Sequence, residues 1–68
     1  MNNKDKKIIQ TNLSFDIEMI FEKDGLISCY IPQFELYFSA DTEKQVKEIA
    51  NAMILSVIKA RLYLKKYE

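Results

Sequence analysis

The chain has 68 residues, of which 49% are hydrophobic, and its ten basic and ten acidic side chains cancel to a net charge of zero. This length predicts one small domain, at a size where a single hydrophobic core is marginal and association between chains is a common source of stability. The apolar fraction argues against a disordered chain. Zero net charge excludes a general electrostatic attraction to nucleic acid or to an anionic membrane.

The residue types that several kinds of site require are absent or scarce. The sequence has no histidine, one cysteine and one glycine. This excludes an intramolecular disulfide, a histidine-assisted nucleophile and a glycine-rich phosphate loop, and it leaves a zinc ion almost without ligands. No segment approaches the roughly 18 consecutive apolar residues of a membrane span. We therefore expect a cytoplasmic protein that is not an enzyme and holds no metal or cofactor.

The N-terminal part of the chain changes character at Leu13. Residues 1–12 are polar and rich in lysine apart from two isoleucines, which predicts a flexible tail. From Leu13 to Phe21 apolar and polar residues then alternate, the pattern of a strand with one buried face. We therefore predict a flexible N-terminal tail over residues 1–12 and a single domain over residues 13–68.

The next connection can be predicted from the side chains that it would pair. A two-residue loop would set apolar residues opposite polar ones. A three-residue loop ending at Gly25 instead gives two apolar pairs, Phe21 with Ile27 and Met19 with Cys29. Three-residue hairpin loops commonly end in a glycine with positive φ. We therefore predict the longer loop, with Cys29 as a small residue of the core.

A proline and a capping motif mark the end of the sheet and the start of a helix. Pro32 cannot donate a ladder hydrogen bond, so it ends the second predicted strand or lies on a sheet edge, and a third alternating segment follows it. Thr42 with Gln45 three residues later fits a capping box. No glycine or proline follows, which predicts one helix from Glu43 almost to the C-terminus. The predicted fold is α+β, a three-stranded antiparallel sheet followed by one long C-terminal helix (β-β-β-α).

The predicted helix carries two apolar stripes. The main stripe repeats at spacings of three and four and should cover the sheet; it comprises Val46, Ile49, Ala50, Met53, Val57, Ala60, Leu64 and Tyr67. A second stripe projects away from the first and comprises Ile54, Leu55, Ile58 and Leu62. Four apolar residues on successive turns favour burial against another chain over scattered exposure. We therefore predict a homo-oligomer, with a two-fold dimer as the commonest form, that uses the second stripe as its interface.

The other side of the predicted sheet carries aromatic residues. Ile20, Tyr30 and Tyr37 should share the face that the helix does not cover. Aromatic side chains on an open sheet can stack on nucleobases, so an alternative function is a small nucleic-acid-binding protein that uses these tyrosines and the lysine-rich tail. Glu18 and Glu35 lie on the same face and would repel phosphates. A protein partner therefore fits this face better than nucleic acid does.

The connections between the predicted elements resemble those of the N-terminal domain of the HicB-like antitoxins, over about Phe15 to Met53. The matching features are a glycine turn, a proline after the second strand, a short motif that opens the helix and an alanine-rich segment with an asparagine. They are Asp24-Gly25, Pro32, Asp41-Thr42-Glu43 and Ala50-Asn51-Ala52. Ala40, Gln45 and Val46 stand where that family usually has glycine, glutamate and alanine.

The resemblance implies a partial double-stranded-RNA-binding-domain-like fold, in a family that neutralises a small RNA-cleaving toxin by direct binding. Together with the scarcity of catalytic groups, it leads us to expect a non-enzymatic protein-interaction module. This module would self-associate through its helix and bind a small toxin-like protein. Gly25, Pro32 and Thr42 are its predicted structural positions.

Overall fold

The computed structural model describes residues 6–66, which form an antiparallel sheet followed by a single helix. The elements are β1 (Lys6–Gln10), β2 (Asp16–Phe21), β3 (Ile27–Ile31), β4 (Leu36–Ala40) and α1 (Glu43–Lys66). The strands lie side by side in chain order. The α+β class and the long C-terminal helix are confirmed. The predicted number of strands is wrong, because the sheet has four strands rather than three.

The additional strand comes from residues that were predicted to be tail. β1 pairs antiparallel with β2 and sets Ile9 opposite Ile17. Ile9 is half-buried against the core, whereas its neighbour Ile8 is 57% exposed. Residues 6–10 therefore belong to the sheet, and residues 1–5 of the predicted tail lie outside the described residues. A short edge strand with one inward isoleucine leaves little periodic signal, which is why alternation did not reveal it.

A buried threonine holds the connection between β1 and β2. Thr11 is 5% exposed, and its Oγ1 accepts hydrogen bonds from the backbone N–H groups of Leu13 and Phe15, each at 3.1 Å. Ser14 takes a φ of 66° in this turn. Leu13 was expected to begin the inner face of a strand, but it lies in the turn and is 44% exposed. The strand begins only at Asp16 because residues 11–15 use their backbone groups to close the turn.

The predicted hairpin register between β2 and β3 is confirmed. Phe21 lies opposite Ile27 and Met19 opposite Cys29. Gly25 has a φ of 90°, and its N–H donates to the carbonyl of Glu22 at 3.2 Å. The same register places alternate residues of both strands on one face of the sheet.

Pro32 follows the last residue of β3, as predicted, and opens a tight turn over residues 32–35. The Phe34 N–H donates to the carbonyl of Ile31 at 3.2 Å, and Glu35 has a φ of 52°. This turn sets Tyr30 opposite Tyr37 across β3 and β4. The two tyrosines are therefore directly paired, and the prediction had placed them only on a common face.

The predicted cap of the helix is present, with one difference. The Thr42 Oγ1 accepts a hydrogen bond from the Gln45 N–H at 3.2 Å, which satisfies one of the free donors in the first turn. The Gln45 Oε1 returns to the N–H of Asp41 at 2.9 Å rather than to that of Thr42. Both ends of the motif therefore satisfy backbone donors, and the helix begins at Glu43 as predicted.

The core lies between the sheet and one side of α1, which packs over β3 and β4. Its buried apolar residues are Ile17, Met19, Ile27, Cys29, Ile31, Ala40, Val46, Ala50 and Ile54. Three predictions for the helix are wrong here. Ile54 was placed in the outer stripe but is fully buried, and Ala60 and Leu64 were placed against the sheet but are exposed. Tyr67, the last residue of the predicted main stripe, lies outside the described residues. The inward side of the helix is centred on its buried residues Val46, Ala50 and Ile54.

The helix is longer than the sheet that supports it. Its 24 residues span about 36 Å, whereas a five-residue strand spans about 17 Å. The guanidinium of Arg61 lies 5.4 Å from the centre of the Phe34 ring, so the helix crosses the end of the sheet near this residue. All residues from 59 to 66 are exposed. We call residues 59–66 the overhang.

Replacing Gly25 with alanine should destabilise the domain by about 1 kcal/mol, because a Cβ is disfavoured at positive φ. No atom lies within 4 Å of the Cβ that alanine would add, so the backbone conformation alone causes the effect. In a domain of this size the expected fall in Tm is about 4–8 °C. Lys23→Ala in the same loop is the control, and equal Tm values for the two variants would contradict the assignment.

Candidate interaction surfaces

The face of the sheet opposite α1 is uncovered and forms the first candidate surface, which we call the open face. Its central row crosses all four strands and consists of Ile8, Glu18, Tyr30 and Tyr37. A second row runs beside it and consists of Lys6, Ile20, Ser28 and Ser39. The structure thus brings the predicted residues Ile20, Tyr30 and Tyr37 together on one face, and it adds Ile8 from the strand that the prediction missed.

The two tyrosines of the open face form a stacked pair. Their ring centres are 4.5 Å apart and their planes differ by 25°. Tyr37 is 73% exposed, whereas Tyr30 is half-buried. Partial burial raises the pKa of Tyr30, and Tyr37, Glu35 and Glu18 raise it further, Tyr37 also through a side-chain hydrogen bond. Tyr30 is therefore neutral at physiological pH, and carboxylates lie near it.

Carboxylates outnumber ammonium groups on the open face. Glu18 forms an ion pair with Lys6 at 2.9 Å, and Asp16 accepts a hydrogen bond from Gln10 at 3.3 Å. Glu22 accepts a hydrogen bond from the Ser28 hydroxyl at 2.8 Å. Glu35, beside the tyrosines, brings the number of carboxylates around this face to four. The described strands contribute one ammonium group to it, that of Lys6. This surface is electrostatically negative although the whole chain is neutral.

Two shallow cavities follow the open face and share Ser28. The first, of about 310 Å³, is lined by Glu18, Ile20, Ser28, Cys29, Tyr30 and Tyr37. The second, of about 540 Å³, is lined by Glu22, Lys23, Asp24, Leu26, Ser28 and Ser39. Because Ser28 lines both cavities, they lie next to each other between the tyrosine pair and the loop between β2 and β3, and we call the two together the groove.

The outer side of α1 forms the second candidate surface. Of the predicted stripe, Leu55 is 45% exposed and Leu62 is 64% exposed. Ile58 is half-buried and packs against the core, and Ile54 lies within it. The prediction therefore holds for the position of Leu55 and Leu62, applies in part to Ile58 and is corrected for Ile54.

One residue that the prediction did not assign to this surface completes it. Asn51 lies four residues before Leu55 on the same side of the helix, and its Oδ1 is buried without a hydrogen-bond partner. Asn51, Leu55, Ile58 and Leu62 recur at spacings of four, three and four. We call these four residues the seam. This spacing was visible in the sequence, but Ile54 obscured it by suggesting a broader stripe.

The next feature is the reactivity of Cys29 and the metal-binding capacity of the described residues. Cys29 is 3% exposed, burial raises the pKa of its thiol to about 11, and the thiol contacts the Ile27 carbonyl oxygen at 3.6 Å. The thiolate needed for nucleophilic attack is therefore disfavoured at neutral pH. Among residues 6–66 no group of three or more acidic or cysteine side chains could hold a metal ion.

Comparison with known proteins found no matching family model, no matching curated protein and no matching solved structure. In the part of the chain that the structure describes, no helix combines the length and the apolar character that crossing a bilayer requires. The fold and its two surfaces define a small α+β domain whose exposed apolar groups are concentrated on a helix and on a sheet face.

Proposed function

We propose that the chain is a non-enzymatic, cytoplasmic protein-interaction module that self-associates through the outer side of α1. The overhang is the observation that supports this most directly. Leu62, Tyr63 and Leu64 are 63–64% exposed there, beyond the sheet that supports the rest of the helix. Helical segments of this length are marginal in water without tertiary packing. Contact with a second chain would supply the burial that the sheet does not provide.

The seam has the periodicity of a helix that packs along another helix. Alternating spacings of three and four keep side chains on one side of a helix that is slightly underwound, as in coiled coils. Each leucine or isoleucine that becomes buried contributes about 1.5–3 kcal/mol before the cost of association is subtracted. Asn51 is the polar residue of the seam.

Charges at the two ends of the seam favour an antiparallel pair. Continuing the spacing of three and four reaches Glu48 in one direction and Lys65 in the other. In an antiparallel pair centred between Ser56 and Val57, Leu55 faces Ile58 of the second copy, and Glu48 faces Lys65. A parallel pair in register would instead set Glu48 against Glu48 and Lys65 against Lys65. Opposite charges at both ends therefore support a two-fold antiparallel arrangement.

Leu62→Glu should shift the protein to monomer, because it places a charge in the proposed contact. Leu64→Glu is a matched control, since the two leucines are equally exposed and lie on different sides of the helix. Neither change touches the core, so both variants should keep the circular dichroism spectrum of the parent. Analytical ultracentrifugation at tens of micromolar should show a dimer for the parent and for Leu64→Glu only. A monomeric parent would end the self-association proposal.

A charge exchange tests the direction of the pair. Glu48→Lys and Lys65→Glu should each weaken the dimer by about twofold to fivefold per ion pair, and the double variant should recover the parent Kd. Helicity must be followed for Lys65→Glu, because a negative charge in the last turn opposes the helix dipole. Single variants that leave the Kd unchanged would indicate a parallel pair, in which each exchange replaces one like-charge contact with another. Additive weakening in the double variant would indicate a different geometry.

The resemblance to HicB-like antitoxins supports a more specific second partner, a small RNA-cleaving toxin. The structure keeps the glycine turn, the proline after a strand and the threonine cap on which that resemblance depends. Expression of a small basic protein encoded beside this chain should arrest growth, and co-expression of the chain should relieve the arrest. If such a neighbour arrests growth and co-expression has no effect, the antitoxin role is excluded while self-association stands.

Binding of nucleic acid, the alternative function, has weaker support. Glu18 and Glu35 act electrostatically on Tyr30, one of the two tyrosines that would have to stack on bases, and their charges repel phosphates. Two lysines of the predicted tail, Lys6 and Lys7, form ion pairs with Glu18 and Glu43 at 2.9 and 3.1 Å. The arrangement therefore favours a protein partner over RNA or DNA.

A further inference from the structure

We infer that the open face is a binding site for an arginine side chain in an extended segment of a partner protein. The guanidinium would lie against the Tyr30–Tyr37 pair, between Glu18 and Glu35. This inference goes beyond self-association and does not depend on it, because α1 packs on the opposite face of the sheet. A monomeric form of the chain should keep this site.

The tyrosine pair supplies a flat aromatic surface. Stacking of Tyr30 on Tyr37 at 4.5 Å leaves one ring face of each residue pointing away from the pair, and Tyr37 is the most exposed aromatic residue of the sheet. A guanidinium is planar and weakly hydrated, so it stacks on aromatic faces better than an ammonium group does. The same kind of contact already occurs within the chain between Arg61 and Phe34.

The surrounding charge selects for a cation. Glu18 and Glu35 belong to different segments, β2 and the turn before β4, and both act electrostatically on Tyr30. Glu18 lies directly opposite Tyr30 in the sheet, and Glu35 precedes Tyr37 by two residues. Carboxylates are strong acceptors of hydrogen bonds from a guanidinium. Glu18 is already paired with Lys6, whose side chain is 52% exposed. Replacing such an exposed ion pair by one with a ligand's guanidinium costs little free energy. An anionic ligand would meet repulsion at the same place.

The shape of the groove favours an extended segment over a single small molecule. The cavity beside the tyrosines has a half-buried isoleucine, Ile20, in its lining and continues past Ser28 into the larger cavity. Glu22 and Asp24 line the far end of the groove, together with Lys23. A partner segment can therefore place an arginine at the tyrosine pair and further residues along the groove.

The test uses a blocked peptide, Ac-Gly-Arg-Gly-Arg-Gly-amide, titrated into the full-length protein and followed by NMR. Saturable shifts should appear at Tyr30, Tyr37 and Ser28. The citrulline peptide of the same sequence, which is almost isosteric and neutral, should bind at least about tenfold more weakly. The lysine peptide should bind about fivefold more weakly, because its ammonium stacks less well. Equal binding of the arginine and citrulline peptides, or shifts confined to α1, would overturn the inference.

Two variants locate the contact. Tyr37→Leu removes the most exposed ring of the sheet and should weaken binding by at least about fivefold. Tyr63→Leu, which removes a tyrosine of the helix that is 63% exposed, should not. Glu35→Gln should weaken binding by a similar factor and should make it less sensitive to salt. Leu62→Glu should leave binding unchanged, so failure of self-association and failure of this site remain distinguishable. A thymidine oligonucleotide that binds the open face more tightly than the arginine peptide would reject the inference in favour of nucleic acid.

Discussion

The antiparallel pairing of β2 with β3 is the constraint on which the rest of the structure depends. A loop that ends in a left-handed glycine sets Phe21 opposite Ile27, and this register fixes the face on which every later side chain of the two strands lies. A shift by one residue would turn one strand over relative to the other, so that either Met19 would move to solvent and Glu18 into the core, or Cys29 would move to solvent and Tyr30 into the core. The core beneath the helix and the negative groove on the other face therefore arise from the same turn.

The parts of the fold that the sequence predicts are those governed by local rules. Loop length, the proline at the end of β3 and the threonine cap are each decided by neighbouring residues, and each was predicted correctly. β1 was missed because an edge strand needs only one inward residue, Ile9, and because its pairing is completed by Thr11 through side-chain hydrogen bonds that periodicity does not detect. Edge strands are thus the elements for which alternation carries least information.

The candidate surfaces were predicted unevenly for a related reason. The sheet tyrosines followed from strand alternation, which is set by backbone geometry alone. The outer side of the helix was predicted less well, because the rotation of a helix about its axis is decided by the surface that it packs against. Ile54 lies with Val46 and Ala50 on the side of α1 that faces the sheet, and it is fully buried there. The direct stacking of Tyr30 on Tyr37 required the exact pairing of β3 with β4, which depends on the turn at Glu35.

The two outer edges of the sheet are not equivalent. β1 carries Lys6 and Lys7, and lysines on an edge strand discourage pairing with another strand. β4, with the sequence Leu-Tyr-Phe-Ser-Ala, contains no charged residue and no proline, and its protection consists of its short length and of the charges at Glu35 and Asp41 on either side. Of the two edge strands, β4 is therefore the one to which further strands can add in ordered aggregation. Partial unfolding that releases the helix from β4 would expose that edge and its apolar face at the same time.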